Sequence, residues 1–115
     1  MEEALKRTLW NDLLHLHHKG IVMRERDIER QFRDMVKDCG GLALKLVCPG
    51  FDGMPDRIVL MPEGRVSFAE IKRPGAVPRP LQEARHRMLR NLGFRVFVID
   101  SIEKAEEVAR AVQTT

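Results

Sequence analysis

The chain has 115 residues and a mass of 13.3 kDa, 43% hydrophobic and 32% charged, the make-up of one globular domain rather than a disordered segment. No stretch approaches the ~20 apolar residues of a membrane span, the acidic start MEEALKRTLWNDLL lacks the basic and apolar regions of a secretory signal, and Cys39 and Cys48 alone make neither a disulfide framework nor a zinc site. The net charge of +3 and pI of about 9.2 lean mildly toward an anionic partner.

The first predicted helix runs from Glu3 to His18, with Leu5, Leu9, Leu13 and Leu16 at helical spacing and Trp10 and Leu14 widening the stripe; Lys19-Gly20 closes it. A second helix covers Arg24 to Asp38, burying Ile28, Phe32, Met35, Val36 and Cys39, and ends at Gly40-Gly41. Leu42 to Val47 is predicted as a strand and the Pro- and Gly-rich stretch Cys48 to Pro55 as a loop. Asp56 to Met61 and Arg65 to Lys72 read as two strands joined by the turn Pro62-Glu63-Gly64. Pro74 to Pro80 is a loop, Leu81 to Leu92 a helix ended by Gly93, and Phe94 to Ile99 a buried strand. Ser101 caps a last helix reaching Val112, with Lys104 where a full capping box would place Glu or Gln. The order α, α, β, β, β, α, β, α implies an α/β fold: a mixed four-stranded sheet flanked by helices, antiparallel in the meander and parallel across the helical crossover, with the first helix appended.

The hairpin carries the chemistry. Glu70 and Lys72 lie two apart on one strand and share a face with Val66 and Phe68. With a three-residue turn, Met61 faces Arg65 and Asp56 faces Glu70, which brings two carboxylates to within about 5 Å, Cβ to Cβ. Such a pair repels unless positive charge sits between them. The Lys72 ammonium and a divalent ion would supply it, and hard oxygen donors suit Mg²⁺ or Mn²⁺ better than zinc. The bland alternative is a surface hairpin with an ordinary Glu–Lys arrangement. From Arg73 to Arg95 six arginines stand against one acid, Glu83, a stretch able to neutralise phosphates or simply to form a solvated helix face. His15 and His18 share a helix face, but no acid accompanies them, and the helix C-terminal dipole explains them more cheaply than a metal. No Walker loop, dinucleotide fingerprint or nucleophile elbow occurs.

The pieces ERDIERQFRDMVKDCGG, LALKLVCPGFDGMPDRIVL, RVSFAEIK and PLQEARHRMLRNLGFRVFVID, in that order, resemble the VRR-NUC (virus-type replication-repair nuclease) domain of the PD-(D/E)xK, restriction-endonuclease-like superfamily. The resemblance covers about residues 23–110, and implies a nuclease domain over 23–115 with an αβββαβ core, preceded by a helical extension over 1–22. It also implies that Asp56 and Glu70 hold a metal, Mg²⁺ with Mn²⁺ as substitute. The Ile71 backbone carbonyl completes the protein ligands, and Lys72 positions or deprotonates the attacking water. Glu29 matches an acid that the second helix offers to the metal; Glu25 is its rival, and a solvated helix acid the bland reading. Gln82 matches a glutamine that contacts the metal site or a phosphate, or is a plain polar residue of the helix start. Lys45, Arg57, Arg73, Arg79 and Arg85 are expected to reach phosphates, and Asp52 to support the site or form an Asx-turn. The activity implied is hydrolysis of DNA phosphodiesters, leaving a 5′-phosphate and a 3′-hydroxyl, by a compact homodimer that cuts branched DNA such as four-way (Holliday) junctions in the cytoplasm of a bacterium or phage-infected cell. A non-cleaving nucleic-acid-binding module and an RNA nuclease are the alternatives.

Overall fold

A computed structural model describes residues 23–114. The predicted first helix, with Trp10, His15 and His18, and the proposed boundary at residue 22 lie outside the described residues.

Helix α1 spans Glu25–Asp38, followed by strands β1 (Leu42–Lys45), β2 (Arg57–Met61) and β3 (Arg65–Ile71), helix α2 (Pro80–Asn91), strand β4 (Arg95–Ile99) and helix α3 (Ile102–Ala111). The sheet order is β1-β2-β3-β4. The first two pairings are antiparallel and β3–β4 is parallel, as a hairpin meander followed by a helical crossover requires. Within the described residues the predicted elements hold, with ends moved by a residue or two. Ser101 caps α3, its hydroxyl accepting from Lys104 N at 3.0 Å.

The three-residue β2–β3 connection, Pro62–Gly64, sets the register. Proline fixes the first φ, and Glu63 and Gly64 turn the chain in the left-handed region, at φ 68° and 73°. Met61 therefore pairs with Arg65 and Arg57 with Ala69, the expected alignment. Because side chains alternate across a strand, this register decides what each face presents.

One face carries the main core. Ile28, Phe32, Met35 and Val36 of α1 and Ile102, Ala105, Val108 and Ala109 of α3 cover Ala43, Val59, Met61, Ala69, Ile71 and Ile99. The other face carries a smaller cluster, Phe68, Leu89 and Val96, with Leu46, Met54, Ile58, Val66 and Met88 packed against it under α2. Three layers result, with α1 and α3 on one side of the sheet and α2 on the other.

Arg57 braces the first of these layers. Its Nε and Nη2 donate to Glu29 Oε1 at 3.0 and 2.5 Å, and its Nη1 donates to the Ala43 carbonyl at 3.2 Å. Helix α1 is thereby tied to both β1 and β2. Removing the guanidinium leaves a partly buried carboxylate and a carbonyl without their donor. Arg57→Ala is expected to lower stability by about 1–3 kcal/mol in urea denaturation; an unchanged midpoint would show that the brace contributes nothing.

Candidate active site

The β2–β3 hairpin ends where the chain supplies a proline. The next pair in the register is Asp56 with Glu70, and the hydrogen-bonded rung after it would join Ile71 to Pro55, which has no N–H to give the Ile71 carbonyl. Asp56 takes the Ile71 N–H instead. Its backbone carbonyl accepts from Leu46 N at 2.8 Å, on the β1 side. Its side-chain Oδ2 accepts from Ile71 N at 2.8 Å, on the β3 side. The residue is held from both flanks. In a strand a residue's N–H and C=O leave on the same side, so the Ile71 carbonyl also points toward the Asp56 edge.

Glu70 lies on the face covered by α2 and is only 1% exposed. Its Oε2 accepts from Gln82 Nε2 at 3.0 Å and lies 3.2 Å from Lys72 Nζ. Gln82, buried in the first turn of α2, turns its Oε1 to Lys72 Nζ and to Arg79 N, both at 2.9 Å. A single amide therefore fixes the carboxylate and the ammonium relative to each other, and ties both to the helix start. Glu70 Oε1 has no hydrogen-bond partner. Nε2 of the 2%-exposed His86 stands 3.9 Å from it and is itself unpartnered.

Burial, and then the charge of Asp56, push the Glu70 carboxyl up to about 7, against the opposing pull of Lys72. The His86 imidazole is shifted the other way, below its ordinary value, by burial and by Arg90. Two carboxylates that resist being charged together, one with a bare buried oxygen, make a cation-hungry site. Among the described residues no group of three or more His, Cys, Asp or Glu side chains is placed to hold a metal. The donors present are two carboxylates and a backbone carbonyl. This is a hard oxygen set that suits an ion keeping several of its waters.

The structure brings together Asp56, Glu70, Ile71, Lys72 and Gln82. It turns the side chains of Glu29 and Arg57 to each other. Arg57 is opposed to Ala69 and so lies on the α1 face, and Glu29 is spent on Arg57 rather than turned to Glu70. The flank position of Glu29 on α1 was legible; its partner was not. Lys45 is exposed, and it pairs with Arg57 and so lies toward the α1 face, away from Glu70. Of the two contacts expected of Gln82, the metal site or a phosphate, the structure shows it on the site residues themselves, buried between Glu70 and Lys72. Arg85 stacks its guanidinium 3.8 Å from the Phe51 ring centre and donates from Nε to the Asp52 carbonyl at 2.8 Å. Arg73, Arg79 and Arg87 are exposed around the site. His86 was missed, although it follows Gln82 by one helical turn and so had to share its face.

No family model matches the chain. It is 44% identical over 80 residues to "Putative nuclease p44" of Acyrthosiphon pisum secondary endosymbiont phage 1, covering 70% of this chain and 86% of that protein. A solved structure described as "VRR_NUC domain" superposes with a TM-score of 0.71 at 30% identity, over 75% of this chain and 94% of its own. The mixed sheet, its three helices and the carboxylate-bearing hairpin define a restriction-endonuclease-like α/β domain. The chain belongs to the VRR-NUC family and is a nuclease of the phage type, a hydrolase of nucleic acid. Among the described residues no helix is long and apolar enough to cross a membrane.

The raised Glu70 carboxyl has a signed consequence. Its protonated form is favoured in the folded chain, so its contribution to stability is full below 4.5 and is lost as pH rises through about 7. His86 acts oppositely, its contribution being lost as pH falls through the range below 6.5. Comparing Glu70→Gln with the wild type isolates the first effect. In chelator, the variant is expected to gain on the order of 2 kcal/mol relative to the wild type between pH 5 and 8. A difference that stays flat across that range in urea titrations would contradict the assignment.

Proposed function

We propose that the chain is a divalent-metal-dependent endonuclease that hydrolyses DNA phosphodiester bonds in branched DNA, four-way junctions among them. The observation that carries this reading is the meeting of Asp56, Glu70 and Lys72 at one end of the β2–β3 hairpin, with a buried Glu70 oxygen left without a partner. Asp56, Glu70 and the Ile71 carbonyl would hold Mg²⁺, or Mn²⁺ in its place. A divalent ion there supplies Lewis acidity toward a phosphate oxygen and toward an attacking water.

The chain's own groups supply the rest. Lys72 has three Nζ protons; Gln82 Oε1 and Glu70 Oε2 take two, which leaves one for the phosphate or the attacking water. Its ammonium stands where charge develops on the phosphoryl oxygens. Water adds to phosphorus, the bond to the 3′ oxygen breaks, and that oxygen takes up a proton, leaving a 5′-phosphate and a 3′-hydroxyl. Gln82 keeps Lys72 and Glu70 in register and does not touch substrate. Exposed Arg73, Arg79 and Arg87 bind the flanking phosphates.

A homodimer would set two such sites on a two-fold junction. Leu42 and Leu44, 50% and 44% exposed on the edge strand β1, supply apolar surface for it. The phage relative supports work on DNA in the cytoplasm of a bacterium or phage-infected cell.

The purified protein is expected to cut a four-way junction with Mg²⁺ faster than a linear duplex. Asp56→Ala and Lys72→Ala should each slow the cut by at least about 100-fold. Wild-type rates from Asp56→Ala, or binding without any cutting by the wild type, would overturn the reading. Sedimentation should give twice the 13.3 kDa chain mass, and Leu44→Glu should return it to one chain.

A further inference from the structure

The loop between β1 and β2 holds a feature that the hydrolytic chemistry does not use. Phe51 lies between its two turns and is 41% exposed. Arg85 lies against the ring, its guanidinium carbon 3.8 Å from the ring centre, and is locked there by its 2.8 Å bond to the Asp52 carbonyl. Gly53, at φ 89°, brings the loop so close to α2 that an added Cβ would come within 2.8 Å of Leu81 Cγ. The aromatic ring is therefore fixed in place at a cost already met in folding, not a side chain swinging free.

Its surroundings fit a flat, partly apolar ligand. Phe51 lines an open cleft of about 340 Å³ together with Leu46, Val47, Pro49 and Met54. That size sits near the lower end of small-molecule sites, which run from about 300 to 1,000 Å³. The cleft lies beside the chemistry by chain and by contact: the same loop runs on into Asp56, and Leu81 and Arg85 of α2 flank Gln82, which holds Glu70 and Lys72.

We propose that Phe51, backed by Arg85, is a stacking platform for one unpaired nucleobase next to the scissile phosphate. Every base has a π-face, so such a platform is indifferent to sequence and responsive to whether a base is free to leave its stack. The guanidinium beneath the ring adds positive charge toward the strand. A fully paired duplex offers no free base to the cleft. A flap or gap does, and a four-way junction does when a pair at its branch point opens. The platform thereby gives this nuclease its preference for branched over linear DNA, and in this it rests on the DNA reading above.

The test measures binding by fluorescence anisotropy in chelator, so that nothing is cut, on a duplex carrying a short single-stranded flap and on the same duplex fully paired. The wild type should prefer the flap, and Phe51→Leu should reduce the flap-to-duplex affinity ratio about tenfold, whereas Phe51→Trp should keep it. A loss shared equally by both DNAs would mean that the ring only supports the loop, and would overturn the proposal; so would an unchanged ratio. Should Phe51→Leu not fold, 2-aminopurine at the first unpaired position decides with the wild type alone. Its emission should change on binding as the base leaves its neighbours for the ring, and unaltered emission at saturation would overturn the platform. Cutting of paired DNA by the wild type with Mg²⁺, in the absence of any flap preference, would refute this inference while leaving the nuclease reading intact.

Discussion

The constraint on which the site depends is the burial of one carboxylate. Glu70 is enclosed by β3, α2 and Asp56, and a carboxylate in such a place is costly unless its oxygens are satisfied. Oε2 is satisfied by Gln82 and Lys72; Oε1 is not. The proline that stops the hairpin puts a second carboxylate beside it, held by two backbone contacts. The fold thus accumulates negative charge where little water reaches it, and gives only one ammonium in return. A site of this kind spends folding stability to be ready for a cation, which is the strain expected where function rather than stability selected the residues.

The sheet divides labour between its faces. The α1–α3 side holds most of the apolar core and the Arg57–Glu29 brace. The α2 side holds a thinner cluster, and there α2 does two jobs. Leu89 packs it to Phe68 and Val96, and one turn of Gln82 and His86 reaches the carboxylate. The same helix turns Arg85 outward to the loop that leads into Asp56. Helix, loop and hairpin end are therefore mechanically one unit, so that a change in the seating of α2 must be felt at Glu70.

Much of this was readable in the chain. The Pro-Glu-Gly turn fixed the hairpin register, and the register fixed the approach of Asp56 to Glu70 and the shared face of Val66, Phe68 and Glu70. These are local rules, set by turn length and period-two alternation. What failed to show was pairing at long range. Helical spacing placed Glu29 on the flank of α1 without saying that Arg57, 28 residues later, would claim it. Charge counting along Arg73–Arg95 placed Arg85 among the basic residues without showing its stack on Phe51, because a tally cannot know which arginine meets an aromatic ring. The spacing of Gln82 and His86 did contain the answer, since residues four apart share a helix face.

The central property of the site is that the buried pair takes up a divalent ion at the expense of a proton. Isothermal titration of Mn²⁺ into the chelator-stripped protein at pH 6.5, repeated in buffers of different ionisation enthalpy, measures both at once. Binding accompanied by release of a substantial fraction of one proton per chain, and lost in Glu70→Gln, is the predicted result. No binding, or binding that releases no proton and is indifferent to Glu70, would contradict it.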